Sequence, residues 1–152
     1  MRKIELSAYE LAQRFVGISE VGGAASNPQI LAMLRLDDTW PADDAVPWCS
    51  AFMNYVAWLL RLPRSKSLLA RSWLTVGEVI DIGDAEPGFD VVVLNRGRGK
   101  QPGASVVDAP GHVGFFAGLE GARILVLGGN QSNSVGIGSY PKSRLLGVRR
   151  LY

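Results

Sequence analysis

Cysteine is nearly absent from this 152-residue sequence. Cys49 is alone, so no internal disulfide can form and any fold must rest on a packed core. Histidine is equally scarce. With His112 as its one imidazole, a thiol–imidazole site either uses Cys49 and His112 or does not exist. Charge of one sign is also missing: sixteen Lys and Arg face fourteen Asp and Glu, and the net +2 argues against nucleic acid as the main partner. There is no internal repeat and no low-complexity tract, and 47% hydrophobic with 20% charged residues excludes a disordered or fibrous chain. Long hydrophobic runs are lacking too. The apolar stretch Ala51 to Leu60 is broken by Asn54 and is too short to span a bilayer. The start, Met1-Arg2-Lys3-Ile4-Glu5, is basic but carries Glu5 and then Glu10 where an apolar signal region would lie. The expectation is one domain over 1–152, made in the cytoplasm; action elsewhere would need another agent for export or release.

What is present changes character along the chain. Ser7-Ala8-Tyr9-Glu10 has the Ser-x-x-Glu form of a capping box, ahead of a helix whose apolar side includes Leu11, Phe15 and Val16 and which is predicted to end at Gly17. Asn27-Pro28 reads as an N-cap with proline in the first helical position, opening a second helix through Ile30, Leu31, Met33 and Leu34. A third helix follows Pro47. Phe52, Val56, Leu59 and Leu60 recur at helical spacing, and Leu62-Pro63 ends it. Ser67 to Leu74 is predicted as a short helix. After Glu86 the period becomes two: strands are predicted at Val91 to Leu94, His112 to Phe116, Ile124 to Leu127, Ser134 to Ser139 and Leu146 to Leu151. Glu120-Gly121 is a hairpin turn, and Gly128 to Asn133 a polar turn after the third strand. Helices first and an antiparallel sheet second is the α+β arrangement.

Three polar features fall at the ends of these elements. Cys49 begins the third helix, where unpaired N–H groups favour a thiolate. His112 begins a strand, and Asn130 follows the strand paired with it by the hairpin. A thiol nucleophile needs a base, and the base needs a group that fixes its ring and tautomer; Cys, His and Asn supply those roles. Such a site requires the Cys49 sulfur to open to a groove within about 3 to 4 Å of a His112 ring nitrogen. The Gly97-Arg98-Gly99-Lys100 stretch lacks the phosphate-loop pattern and reads as a flexible rim whose Arg96, Arg98 and Lys100 could meet substrate carboxylates.

Trp48-Cys49-Ser50-Ala51-Phe52, the turn Pro87-Gly88-Phe89-Asp90 ahead of Val91-Val92-Val93-Leu94, Gly111-His112-Val113-Gly114-Phe115-Phe116 and Leu127-Gly128-Gly129-Asn130-Gln131 together resemble the papain-like peptidoglycan hydrolases of the CHAP and NlpC/P60 group. In particular they are similar to small bacteriophage and prophage CHAP-type endolysins, over Glu20 to Tyr152 and in the expected order. The resemblance implies a papain-like α+β core and a cysteine peptidase or amidase, with Cys49 as nucleophile, His112 as base and then acid, and Asn130 as orienting group. Gln131 and Asn133 compete for that last role within the same turn, and many CHAP members carry Glu there. Trp48, Trp73 and Gln131 are the expected substrate-binding residues, although core packing is the commoner fate of any single Trp. No cofactor is implied. Some CHAP domains bind calcium ahead of the cysteine, where this chain has Asp37, Asp38, Asp43 and Asp44; the spacing is not that of an EF-hand, and a solvated acidic loop is the expectation.

The function these features imply is hydrolysis of an amide in peptidoglycan, by an endolysin-like N-acetylmuramoyl-L-alanine amidase or a stem-peptide or cross-bridge endopeptidase. Two other readings share the residues: an antibacterial effector amidase, and a non-catalytic wall-binding or virion module. The expected partner is peptidoglycan, met by a monomer without nucleic acid or stable membrane insertion. A holin-type release partner would suit the lysin and an immunity protein the effector, and either would act on the wall or in the periplasm.

Overall fold

The computed structural model describes residues 2–22, 26–37 and 47–152. Asp38, Trp40, Asp43 and Asp44 lie outside the described residues, and with them most of the acidic stretch considered for calcium. Asp37 is described and pairs with Arg64 at 2.7 Å. Among the described residues no group of His, Cys, Asp and Glu is arranged to hold a metal, and no helix is long and apolar enough to cross a membrane.

The chain opens with two short helices, α1 (Ala8–Gln13) and α2 (Pro28–Leu34). Both begin as their sequences dictate. Ser7 and Glu10 close the reciprocal capping box, and the Asn27 side chain accepts from the Gln29 N–H ahead of Pro28. Helix α1 is shorter than predicted, passing into turns after Gln13 that let Gly17 reach Val135. The third helix, α3 (Cys49–Leu59), buries residues around most of its circumference. A 3₁₀ segment, Ala70–Thr75, replaces the predicted short helix.

Six antiparallel strands follow: β1 (Glu78–Ile80), β2 (Asp90–Asn95), β3 (Gly111–Glu120), β4 (Arg123–Gln131), β5 (Ser134–Pro141) and β6 (Leu145–Arg150). Their order across the sheet is β1-β6-β2-β3-β4-β5. The exposed three-residue β1 was not predicted; it pairs with β6 at one edge.

The run Asp90 to Leu94 is buried throughout because both faces of β2 are covered. Val91 and Val93 join Val113, Phe115 and Leu127 in a core with Trp48, Phe52 and Val56 of the helical layer. Val92 and Leu94 join Phe116, Ile124 and Val126 in a smaller cluster on the other face, under Tyr140 and Leu145. The helical layer thus presses α3 against β3 and β4, where the polar residues singled out above emerge. Contact is closest at Gly129. A Cβ there would lie 2.7 Å from the Trp48 ring and 2.8 Å from the Phe52 Cβ, so glycine is required for the start of α3 to seat on β4.

Candidate active site

Cys49 is the first residue of α3, and the preceding Trp48 caps the helix with no side-chain hydrogen bond. The opening N–H groups of the helix therefore lack an intrahelical partner. Those of Cys49 and Ser50 lie by the sulfur, together with the Val113 N–H of β3. Regular pairing of β3 with β4 begins only at Phe115 opposite Leu127, so Val113 stands outside that ladder. Cys49 as a whole is 3% exposed, and it lines a groove of about 420 Å³ with Leu69, Ala70, Arg96, Asp108 and Gly111.

The second component is His112, paired with Leu94 across β2 and β3. Its Nε2 lies 2.9 Å from the Gln131 Oε1. The amide nitrogen of Gln131 donates to the carbonyls of Val126 and Gly136, which fixes its oxygen as an acceptor. That oxygen also accepts the Tyr140 hydroxyl at 2.8 Å, and the Tyr140 ring lies 5.2 Å from the imidazole at a 34° tilt. Neutral His112 must then carry its proton on Nε2, leaving the Nδ1 lone pair free. No protein group among the described residues hydrogen-bonds Nδ1.

The third position differs from expectation. Gln131, and not Asn130, holds the imidazole; no hydrogen bond joins Asn130 to His112. The reason is a bulge. Pairing passes from Gly128 opposite Gly136 to Gln131 opposite Ser134, so β4 carries one residue more than β5. Asn130 sits in the bulge with φ of +55°, a left-handed conformation that Asn accepts more readily than most residues. Strict alternation would put Asn130 on the face of Val126. The extra residue turns Gln131 to that face.

The expected substrate-binding set also changes. Trp48 is fully buried, donating its indole N–H to Glu20 at 2.7 Å, and Trp73 is fully buried with its indole N–H on the Ser50 hydroxyl at 2.9 Å. Both brace the base of α3 and neither faces the groove, since burial of a large ring with one satisfied polar atom outweighs exposure. Gln131 is committed to His112, Tyr140 and two carbonyls, which uses the hydrogen-bonding capacity of its side chain within the protein.

Electrostatics correct a further expectation. Helix-start amides favour a thiolate, yet burial pushes the Cys49 thiol up and outweighs the Val113 and Ser50 amides and the Arg96 guanidinium, which act the other way. Burial likewise pushes His112 down; the Gln131 hydrogen bond opposes this and Arg96 adds to it. Near neutral pH the site rests as thiol and neutral imidazole, and no Cys49–His112 hydrogen bond is formed.

Sequence reasoning missed two residues here. Tyr140 secures Gln131, and only its place two residues after Gly138 on a β-period strand hinted that it would face inward. Arg71 is fully buried with no carboxylate partner among the described residues; it donates to the carbonyls of Pro102, Gly103, Val106 and Pro110 at 2.8 to 3.1 Å, clamping the loop that forms one wall of the groove. Its setting directly after the apolar Leu68-Leu69-Ala70 was the available signal.

A helix that opens on a cysteine and packs against an antiparallel sheet is the α+β arrangement of a papain-like fold of the NlpC/P60 type. Among solved structures, this chain is similar to NlpC1 and NlpC2 from Trichomonas vaginalis, with TM-scores of 0.55 and 0.56 at 18% and 20% identity. Each likeness covers 95% of this chain and 42% or 44% of the other, so the chain spans less than half the length of either neighbour. No protein-family model matches the sequence, and no curated protein does.

Proposed function

We propose that this chain is a cysteine-dependent hydrolase that cleaves an amide bond of bacterial peptidoglycan, with Cys49 as nucleophile, His112 as general base and acid, and Gln131 as the group that orients the imidazole. The observation that carries this reading is the His112 tautomer. Gln131 consumes the Nε2 proton, so Nδ1 is available as a base at the end of the sheet where a thiol lines a groove.

In this mechanism the sulfur attacks the amide carbonyl carbon as its proton passes to His112 Nδ1, a transfer that suits a resting thiol–imidazole pair. The tetrahedral oxyanion is met by the free N–H groups at the start of α3. Imidazolium then protonates the departing amine, leaving a thioester on Cys49. Water, deprotonated by His112, attacks the thioester carbonyl, and the thiol is restored as the acid leaves.

The resemblance of the motifs to small phage lysins supports an endolysin-like setting, in which the enzyme meets the wall after a partner permeabilises the membrane. The test is digestion of purified sacculi by the protein and by its Cys49→Ala variant, with mass spectrometry of the products. Release by the wild type alone is expected, and the new amino terminus identifies the bond as muramoyl–alanine or stem-peptide amide. Equal release by the variant overturns the proposal.

A further inference from the structure

Arg96 lines the groove that holds the sulfur. It follows the last residue of β2, is exposed, and makes no hydrogen bond or ion pair among the described residues. Its charge nevertheless reaches Cys49, His112 and Tyr140. The flanking Asn95 and Gly97 line a second depression of about 470 Å³ with Arg98, Lys100 and Arg144. Among the described residues none of these three side chains has an anionic partner either, and no carboxylate lines that depression. Four cations are thus gathered at one side of the candidate site in a chain whose net charge is only +2. The groove itself carries one acid, Asp108, which forms no ion pair with Arg96.

From this geometry we infer that Arg96 is a specificity residue that binds a free carboxylate of the peptide substrate beside the scissile amide, with Arg98, Lys100 and Arg144 forming an outer row that favours acidic peptides over amidated ones. The inference deepens the hydrolase reading and rests on it. A guanidinium offers a carboxylate two parallel N–H donors, a fit that a carboxamide meets with one oxygen and no charge. Leaving so many cations unpaired at one rim costs self-repulsion, which an anionic ligand relieves. The apolar groove wall at Leu69 and Ala70 would take the uncharged part of the same residue.

The test compares L-Ala–γ-D-Glu–L-Lys bearing its free α-carboxylate with the same peptide carrying a carboxamide there. Binding is measured by calorimetry on the Cys49→Ala protein, and turnover on the wild type. The acidic peptide is expected to bind about tenfold tighter or better, a typical value for one charge-assisted contact. Adding Arg96→Gln should reduce the ratio of the two affinities to the few-fold preference that the outer row supplies. Using the ratio removes the influence of Arg96 on the thiol and imidazole, which is common to both peptides. Replacing Arg98, Lys100 and Arg144 together by Gln should weaken binding of the acidic peptide by a few-fold and flatten its salt dependence. Equal binding of the two peptides, or an unchanged ratio in the Arg96→Gln protein, overturns the subsite even if the wild type hydrolyses both. Preferential binding reduced in this way by Arg96→Gln, with no turnover of any wall substrate, instead retains the subsite and defeats the hydrolase reading.

Discussion

The two halves of the sheet treat buried polar groups in opposite ways. At the β1-β6-β2 edge, Asp90 is almost fully buried and meets Arg150 in a two-pronged pair, both N–O distances being 2.7 Å, while the Glu86 N–H fills a further site on the carboxylate. Both oxygens of the Asp90 carboxylate thus have partners, and the pair joins β2 to β6. At the β3-β4-β5 end, His112, Gln131 and Tyr140 form a neutral network that stops short of completion. Among the described residues one imidazole nitrogen is unused, the thiol is held by no acceptor, and Arg96, which shares the groove with it, has no counter-ion. Saturation at one end and spare capacity at the other separate polar groups that hold the fold from polar groups placed to act on something else.

Exchanging the two outcomes is the sharpest way to break this contrast. Cys49→Ala and His112→Ala should each lower wall-hydrolysing activity by at least about 1,000-fold, as loss of a nucleophile or its base does in related thiol and serine enzymes. Their thermal unfolding midpoints should stay close to that of the parent. Asp90→Ala should do the reverse, lowering the midpoint because it strands Arg150, while the protein that remains folded keeps its kcat/KM. A stable Asp90→Ala protein without activity would erase the distinction.

A smaller effect sharpens the comparison within the network. Gln131→Leu removes the acceptor for the Nε2 proton, and a fall in kcat/KM of about 10- to 100-fold is expected from a mis-set ring and tautomer. The pH profile supplies a readout that simple loosening would not move. The hydrogen bond to Gln131 favours the protonated ring, so its loss should shift the acid limb of kcat/KM to lower pH. Gln131→Glu places a carboxylate against the same N–H and should shift that limb to higher pH. Arg96 disfavours imidazolium, so Arg96→Gln should also move it upward, by less than about one unit for an exposed charge. Opposite signs from two substitutions of one residue are hard to obtain unless Gln131 contacts the titrating base.

How far the sequence anticipated this site follows from the range of the interactions that build it. The Ser7–Glu10 capping box, Asn27-Pro28 and the β-branched run at Val91 are decided by neighbours in the chain, and each formed at its expected place. Cys49 and His112 stand out in the sequence as the chain's lone thiol and lone imidazole, whereas the distance between them is not written there. What escaped depends on partners distant in sequence. Trp48 and Trp73 looked able to line a groove, but Glu20 and Ser50 take their indole N–H groups into the core. Arg71 has no local pattern, since its acceptors lie some 31 to 39 residues away. The thiolate expected from a helix start was offset by desolvation, which depends on the whole fold.

The exchange of Asn130 for Gln131 rests on a single inserted residue, and it sets the smallest and most discriminating prediction. If β4 ran without a bulge, residue 130 would share the face of Val126 and its amide could meet the imidazole. With the bulge, Asn130 supplies only a left-handed backbone, which glycine provides at least as well. Asn130→Gly should therefore leave wall hydrolysis within about twofold and stability within about 1 kcal/mol, since glycine relieves the positive φ while adding chain entropy to the unfolded state. Asn130→Val should cost more stability than Asn130→Gly, because a β-branched residue resists that conformation. Unfolding curves and rates on sacculi for the pair check both statements. If Asn130→Gly abolished hydrolysis in a protein with parental stability, the imidazole would have to be oriented through the Asn130 side chain, and the bulged register of β4 would be wrong.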